Sequence, residues 1–116
     1  MQKIEKWRVE ELALLFDLLA ALLRAGKNPE WANVFSHFDE EAKLILSAGA
    51  FDAGPVKMLV RNIKNCFGAD SNFVTLVLED EEPLIKNALN LDFVQARARL
   101  WNALQEMEKR MVEFVN

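Results

Sequence analysis

Apolar residues recur along this chain at three- and four-residue intervals, the repeat of an amphipathic helix, with almost no sustained alternation of the kind a half-buried strand would show. Residues 2 to 25 read as a first helix, in which Ile4, Trp7, Leu15, Leu18, Leu19 and Leu22 return on one side. On a wheel at about 100° per residue its apolar positions cover roughly 200°, wider than the stripe of a surface helix. The expectation is a broad apolar N-terminal helix that is central to the fold or meets another subunit. Gly26 is positioned to end it, and Gly26-Lys27-Asn28-Pro29 forms the turn.

Asn28 can cap a second helix, with Pro29 in its first turn, where a missing amide hydrogen costs nothing. Trp31, Val34, Phe35, Phe38, Ala42, Ile45 and Leu46 supply its buried side to about Ser47, although Ser36 to Asp39 leave room for a break. Ala48 to Pro55 reads as a loop. Val56, Leu59, Val60, Ile63 and Phe67 define a third helix with Gly68 as its cap. Phe73 to Leu78 is β-branched in part, but a solitary strand would leave its backbone unpaired, so a short helix or a buried extended segment is expected.

Beyond the charged turn Glu79-Asp80-Glu81-Glu82, Pro83 opens a short helix through about Leu89. A last helix starts at Asp92, with Gln95 placed to complete a capping box, and buries Phe93, Ala96, Leu100, Leu104, Met107, Met111 and Phe114. The pattern therefore predicts an all-α bundle of about five helices, folded as a single domain over residues 1 to 116.

Composition changes this picture only by exclusion. With 116 residues, of which 52% are hydrophobic and 28% charged, the chain can bury one substantial core. A net charge of -4 and a pI near 5.0 argue against nucleic acid as a partner, since phosphate binding needs clustered cations. The single cysteine fits a reducing compartment. Leu12 to Leu23 is the one run resembling a targeting segment; Glu5, Glu10 and Glu11 spoil its basic flank, and it is too short to span a bilayer. No membrane association and a cytoplasmic location are expected.

Residues able to do chemistry are scarce. His37 and Glu41 lie one turn apart, but a divalent metal needs more ligands than one histidine and its acidic neighbours offer in a recognisable spacing. Cys66 borders an apolar face and has no base nearby in sequence. No nucleophile elbow, phosphate loop or dinucleotide fingerprint occurs. No catalytic residue, metal ligand or cofactor is therefore expected, and an enzyme is not.

Two sets of residues remain as candidate sites. Glu11 falls in the first helix's apolar arc, where a carboxylate needs a partner such as Arg8 or Arg97, or else lines a polar pocket with Trp31 and Trp101. Glu79, Asp80, Glu81 and Glu82 offer a basic partner a complementary charge, although a solvated turn has the same composition. Lys57, Arg61 and Lys64 share one side of the third helix and read as its wet face.

The order of Trp31-Ala32, Phe67-Gly68, Phe73, Leu76-Val77-Leu78 and a final amphipathic helix resembles a family of small uncharacterised bacterial helical domains. Its members carry a stretch close to F-G-G-M-G-S-F-N-D-L-V-L. Here the stretch from Phe67 to Leu78 keeps the apolar frame, loses the glycines after Gly68 and has Val74-Thr75 in place of the Asn-Asp pair. Relatives of this kind look like immunity proteins and accessory domains of toxin systems, which implies protein binding without catalysis. The resulting expectation is a non-enzymatic interaction module that occludes a partner such as a basic toxin, or pairs with a second copy of itself. The alternative is a small-molecule binder or modest enzyme with an inter-helical pocket.

Overall fold

The computed structural model describes residues 4–49 and 51–115, with side chains up to Met111. Its elements are α1 (Lys6–Ala25), α2 (Pro29–Ser47), α3 (Ala53–Asn65), a single 3-10 turn at Phe73–Thr75, and α4 (Pro83–Val115). The all-α class is as expected; the number of helices is four, not five. α1 packs on α2 and α4, and α3 packs on the same two helices, so the four form a ring with α1 and α3 on a diagonal.

The missing boundary lies in α4. Leu84 to Val115 contain neither glycine nor proline, so nothing interrupts the hydrogen-bond ladder where a new helix was expected at Asp92. Asp92 is an exposed residue of the helix interior. At 33 residues α4 is about 50 Å long, which accounts for the 51 Å long axis of the molecule. It runs antiparallel to α1: Arg110 lies 3.8 Å from Glu5 at one end, and Glu81 lies 3.7 Å from Lys27 at the other.

α2 begins as its sequence dictates, with the Asn28 side chain accepting from the Trp31 amide at 3.1 Å. It continues unbroken through Ser36 to Asp39. α3 starts inside the expected loop, because Asp52 caps it by accepting from the Gly54 amide at 3.0 Å. It ends at Asn65, before Phe67, and none of the described glycines takes a positive φ, so Gly68 is not a left-handed cap.

Gly26 ends α1 as expected, though without a left-handed backbone. Its φ is -88°, and the positive φ of the turn, 64°, falls on Lys27. What requires glycine is space: a Cβ at Gly26 would stand 2.6 Å from the Leu78 Cβ.

The core runs through all four helices, from Val9, Leu12, Phe16, Leu19 and Leu23 of α1 to Phe93, Leu100 and Leu104 of α4. Burial covers only part of α1's apolar arc. Trp7, Leu14 and Leu18 face outward at 52%, 71% and 40% exposure, so the breadth of the arc is a property of the sequence and not of the buried face. Phe114 lies outside the described side chains. No helix among the described residues is long and apolar enough to cross a membrane.

Candidate functional surface

α3 spans only about 20 Å, so it covers less than half of α4's flank. Residues 66 to 82 cover the rest as a strap, passing Trp101, then Phe93 and Arg97, then Asn90 and Lys86. Phe73 is the strap's anchor. Fully buried, it holds ring contacts with Trp31, Phe35, Phe67 and Phe93 at centroid distances of 5.0, 5.1, 5.3 and 5.6 Å. Aromatic pairs at such distances add to what their burial alone contributes.

The strap's backbone is paired by side chains in place of a neighbouring strand. The Ser71 hydroxyl accepts from the Phe73 amide at 3.1 Å, and Arg97 donates to the Phe73 carbonyl at 3.0 Å. The Asn90 amide group meets Leu78 on both sides, accepting from its N–H at 2.7 Å and donating to its carbonyl at 2.9 Å. Asn90 thereby copies the pairing of an adjacent β-strand residue from a helix. The Glu79 amide donates to the Gly26 carbonyl at 3.1 Å, and Trp31 donates its indole N–H to Asn72 at 2.9 Å. These bonds resolve the objection that an extended segment here would be unpaired.

Between the anchors the strap shows apolar side chains to solvent. Val74 and Val77 are 38% and 57% exposed, and across from them on α4 stand Val94 at 48% and Leu91 at 59%. An open groove of about 340 Å³ lies along this seam, lined by Phe67, Val74, Val94, Arg97, Ala98 and Trp101. Arg97 also lies against the Phe93 ring at 5.0 Å. Partial withdrawal from water lowers the pKa of its guanidinium.

The acidic turn follows the strap directly. Glu79 pairs with Lys86 at 2.9 Å and Glu81 with Lys27 at 3.7 Å, while Asp80 accepts from the Glu82 amide at 2.8 Å and so shapes the turn. Glu79, Glu81 and Glu82 are exposed. Exposed pairs of this kind contribute little to stability and leave the carboxylates accessible.

The three residues grouped as a pocket do not share one. Trp101 lines the groove beside the strap, and Trp31 stacks on Phe73. Glu11 sits in a separate groove of about 350 Å³ with Arg8, Leu15, Arg99, Asn102, Ala103 and Glu106. Neither expected partner reaches Glu11: Arg8 pairs with Glu5 and stacks on Trp7 at 4.4 Å, and Arg97 serves Phe73. Glu11 tolerates this because it stands at the border of the buried arc and not in its middle.

His37 and Glu41 form the expected pair on α2, at 2.8 Å, with the imidazole 67% exposed. Burial pushes the Cys66 thiol up to about 11, so it is protonated at neutral pH and a poor nucleophile. Lys64 is held by Glu108 at 2.7 Å, and the two line a groove of about 430 Å³ with Lys57 and Arg61. Among the described residues no group of three or more His, Cys, Asp or Glu is placed to hold a metal ion.

One polar constellation escaped the sequence reading. Asp39 is 7% exposed, with one carboxylate oxygen bonded to Lys43 at 2.7 Å and the other buried without a protein partner. Asp17, across on α1, has its pKa raised by burial and by the facing Asp39 carboxyl, and Lys43 is raised in turn by its bond to Asp39. The signal was present in the spacing, because Asp39 falls among the buried α2 positions Phe35, Phe38 and Ala42.

Compared with protein-family models, with curated proteins and with solved structures, the chain matches none.

Proposed function

We propose that this chain is a non-enzymatic module that binds another protein through the strap, the facing side of α4 and the acidic turn. The observation that carries the reading is the exposure of Val74 and Val77 on a segment whose backbone is fixed by Phe73, Arg97 and Asn90, beside exposed Leu91 and Val94 of α4. A clustered apolar patch on a preorganised surface favours association, because little conformational entropy is lost on binding. Glu79 to Glu82 next to it supply the charge that would steer a basic partner, such as a toxin of the sort implied by the resemblance to immunity-like helical domains. The small-molecule alternative has less to rest on, since Glu11, Trp31 and Trp101 have different surroundings.

Photo-crosslinking in the native cells tests this. A benzophenone side chain placed at Val77 or at Leu91 is expected to trap the same protein, while one at exposed Gln105 traps none. Absence of an adduct from both patch positions, or the same adduct from Gln105, overturns the reading. An adduct at twice the chain mass identifies the partner as a second copy.

A further inference from the structure

The groove beside the strap contains a half-buried cation that meets no carboxylate among the described residues. Arg8, Lys64 and Arg110 are each partly buried and each meets a carboxylate, Glu5, Glu108 and Glu106 respectively. Arg97 meets none within 4.0 Å among the described residues; its one protein hydrogen bond goes to the Phe73 carbonyl. The other residues lining the groove, Phe67, Val74, Val94, Ala98 and Trp101, carry no charge. A guanidinium has five donors in a planar fork that matches a carboxylate, and the match is strongest where apolar walls exclude water.

We infer that the Arg97 groove takes an apolar side chain together with an adjacent carboxylate from a partner protein. This rests on the protein-binding reading above and adds the chemistry of the segment bound. Size and openness favour a partner protein over a free small molecule. At about 340 Å³ the groove holds one or two side chains. Its open side would leave a small ligand largely wet, whereas small-molecule sites enclose most of their ligand. A protein partner would cover exposed Val74 and Val94 on the groove's walls and dry the ion pair at its centre.

The chain's net charge of -4 does not oppose an acidic segment here. Glu79 is held at Lys86, eleven helical steps and so about 16 Å along α4 from Arg97, and Glu81 and Glu82 precede Pro83, about 21 Å along it; both distances exceed the screening length of about 8 Å at physiological salt. The surface is thus two-signed, positive at Arg97 and negative at Glu79 to Glu82, and a partner carrying the opposite pair of charges binds in one orientation only.

The test uses two blocked peptides, acetyl-Gly-Asp-Phe-Leu-Gly-amide and its Asn counterpart, with 4-phenylbutyrate as a free small acid. Binding is followed by the Trp101 indole N–H in proton–nitrogen correlation spectra of the full chain. The Asp peptide is expected to shift the Trp101 signal and to bind about fivefold or more tightly than the Asn peptide, the effect of one partly exposed charged contact. Arg97→Gln retains an amide donor for the Phe73 carbonyl and is expected to abolish the difference between the peptides. Should that variant unfold, Ala98→Glu supplies a carboxylate from the groove wall and is expected to block the Asp peptide in a folded protein. Equal binding of the two peptides, no binding of either, or binding of phenylbutyrate alone overturns the inference. If that happens while crosslinks at Val77 and Leu91 persist, protein binding stands and only the carboxylate assignment falls.

Discussion

Replacing Asn90 should loosen the strap without touching the core. In Asn90→Ala the Leu78 N–H and carbonyl lose partners at 2.7 and 2.9 Å, and the Leu78 side chain is fully buried. An unsatisfied buried group costs about 1–3 kcal/mol, and water entering beside exposed Val77 offsets part of that for two such groups. Alanine's better helix propensity returns roughly half a kcal/mol. The net expectation is a loss of about 2–3 kcal/mol, or a fall in Tm of about 8–15 °C for a domain of this size. Asn90→Asp refines the test. At neutral pH it keeps an acceptor for the Leu78 N–H but turns negative oxygen toward the carbonyls of Leu78 and Lys86, so it should be at least as damaging. Protonation restores a donor, which raises the folded-state pKa of the introduced acid above its unfolded value. Its handicap should therefore shrink as pH falls through that raised pKa toward 4. Urea unfolding at pH 7 and pH 4.5, with hydrogen exchange at the Leu78 amide, measures both effects. A loss under about 0.5 kcal/mol in Asn90→Ala, or no pH dependence in Asn90→Asp, would refute the view that this side chain stands in for a strand.

Phe73→Ala removes the ring at the centre of the aromatic cluster and should cost about 3–5 kcal/mol, read from denaturant unfolding. Gly26→Ala forces Leu78 away from a Cβ that would otherwise lie at 2.6 Å; a destabilisation of about 1–3 kcal/mol is expected, whereas Gly49→Ala, with open space around it, should change little. Asp17→Asn relieves the like-charge contact with Asp39 and offers an amide donor to its unpartnered oxygen, so at pH 7 stability should rise, by a few tenths of a kcal/mol because Asp17 is exposed and solvent screens it. The sign of the pH effect follows from the raised pKa of Asp17: its stabilising contribution is complete below its unfolded pKa and is lost as pH rises through the folded one, and the variant should lack that decline. Cys66 should react slowly with iodoacetamide at pH 7 in the folded chain and quickly in urea, because its thiol is raised to about 11.

Local signals in the sequence were readable wherever the deciding partner was also local. Asn28 and Pro29 specify the start of α2, and the three- and four-residue spacing of Val56, Leu59, Val60 and Ile63 specifies the buried side of α3. The boundary at Asp92 misled because a capping box is a few residues of side-chain chemistry, whereas an uninterrupted ladder packed along its length outweighs it. For the strap, the short helical turn and extended run over Phe73 to Leu78 were legible, but what pairs its backbone was not. Its extended backbone depends on Asn90, Arg97 and Gly26, which lie from 12 to over 50 residues away in the chain. Glu11 shows the limit of a helical wheel, which records where apolar residues lie and not which of them a neighbouring helix covers: Trp7, Leu14 and Leu18 widened the arc while remaining exposed.

In the strap, the residues that fasten it and the residues it displays are different ones. Phe73 and Leu78 point inward and carry the attachment, whereas Val74, Thr75 and Val77 are exposed. New side chains at 74 and 77 would change what the surface presents while leaving the bonds of Phe73 and Leu78 in place. If the surface binds as proposed, its specificity can thus diversify at constant foldedness, as in a scaffold whose variable letters are printed on an invariant frame.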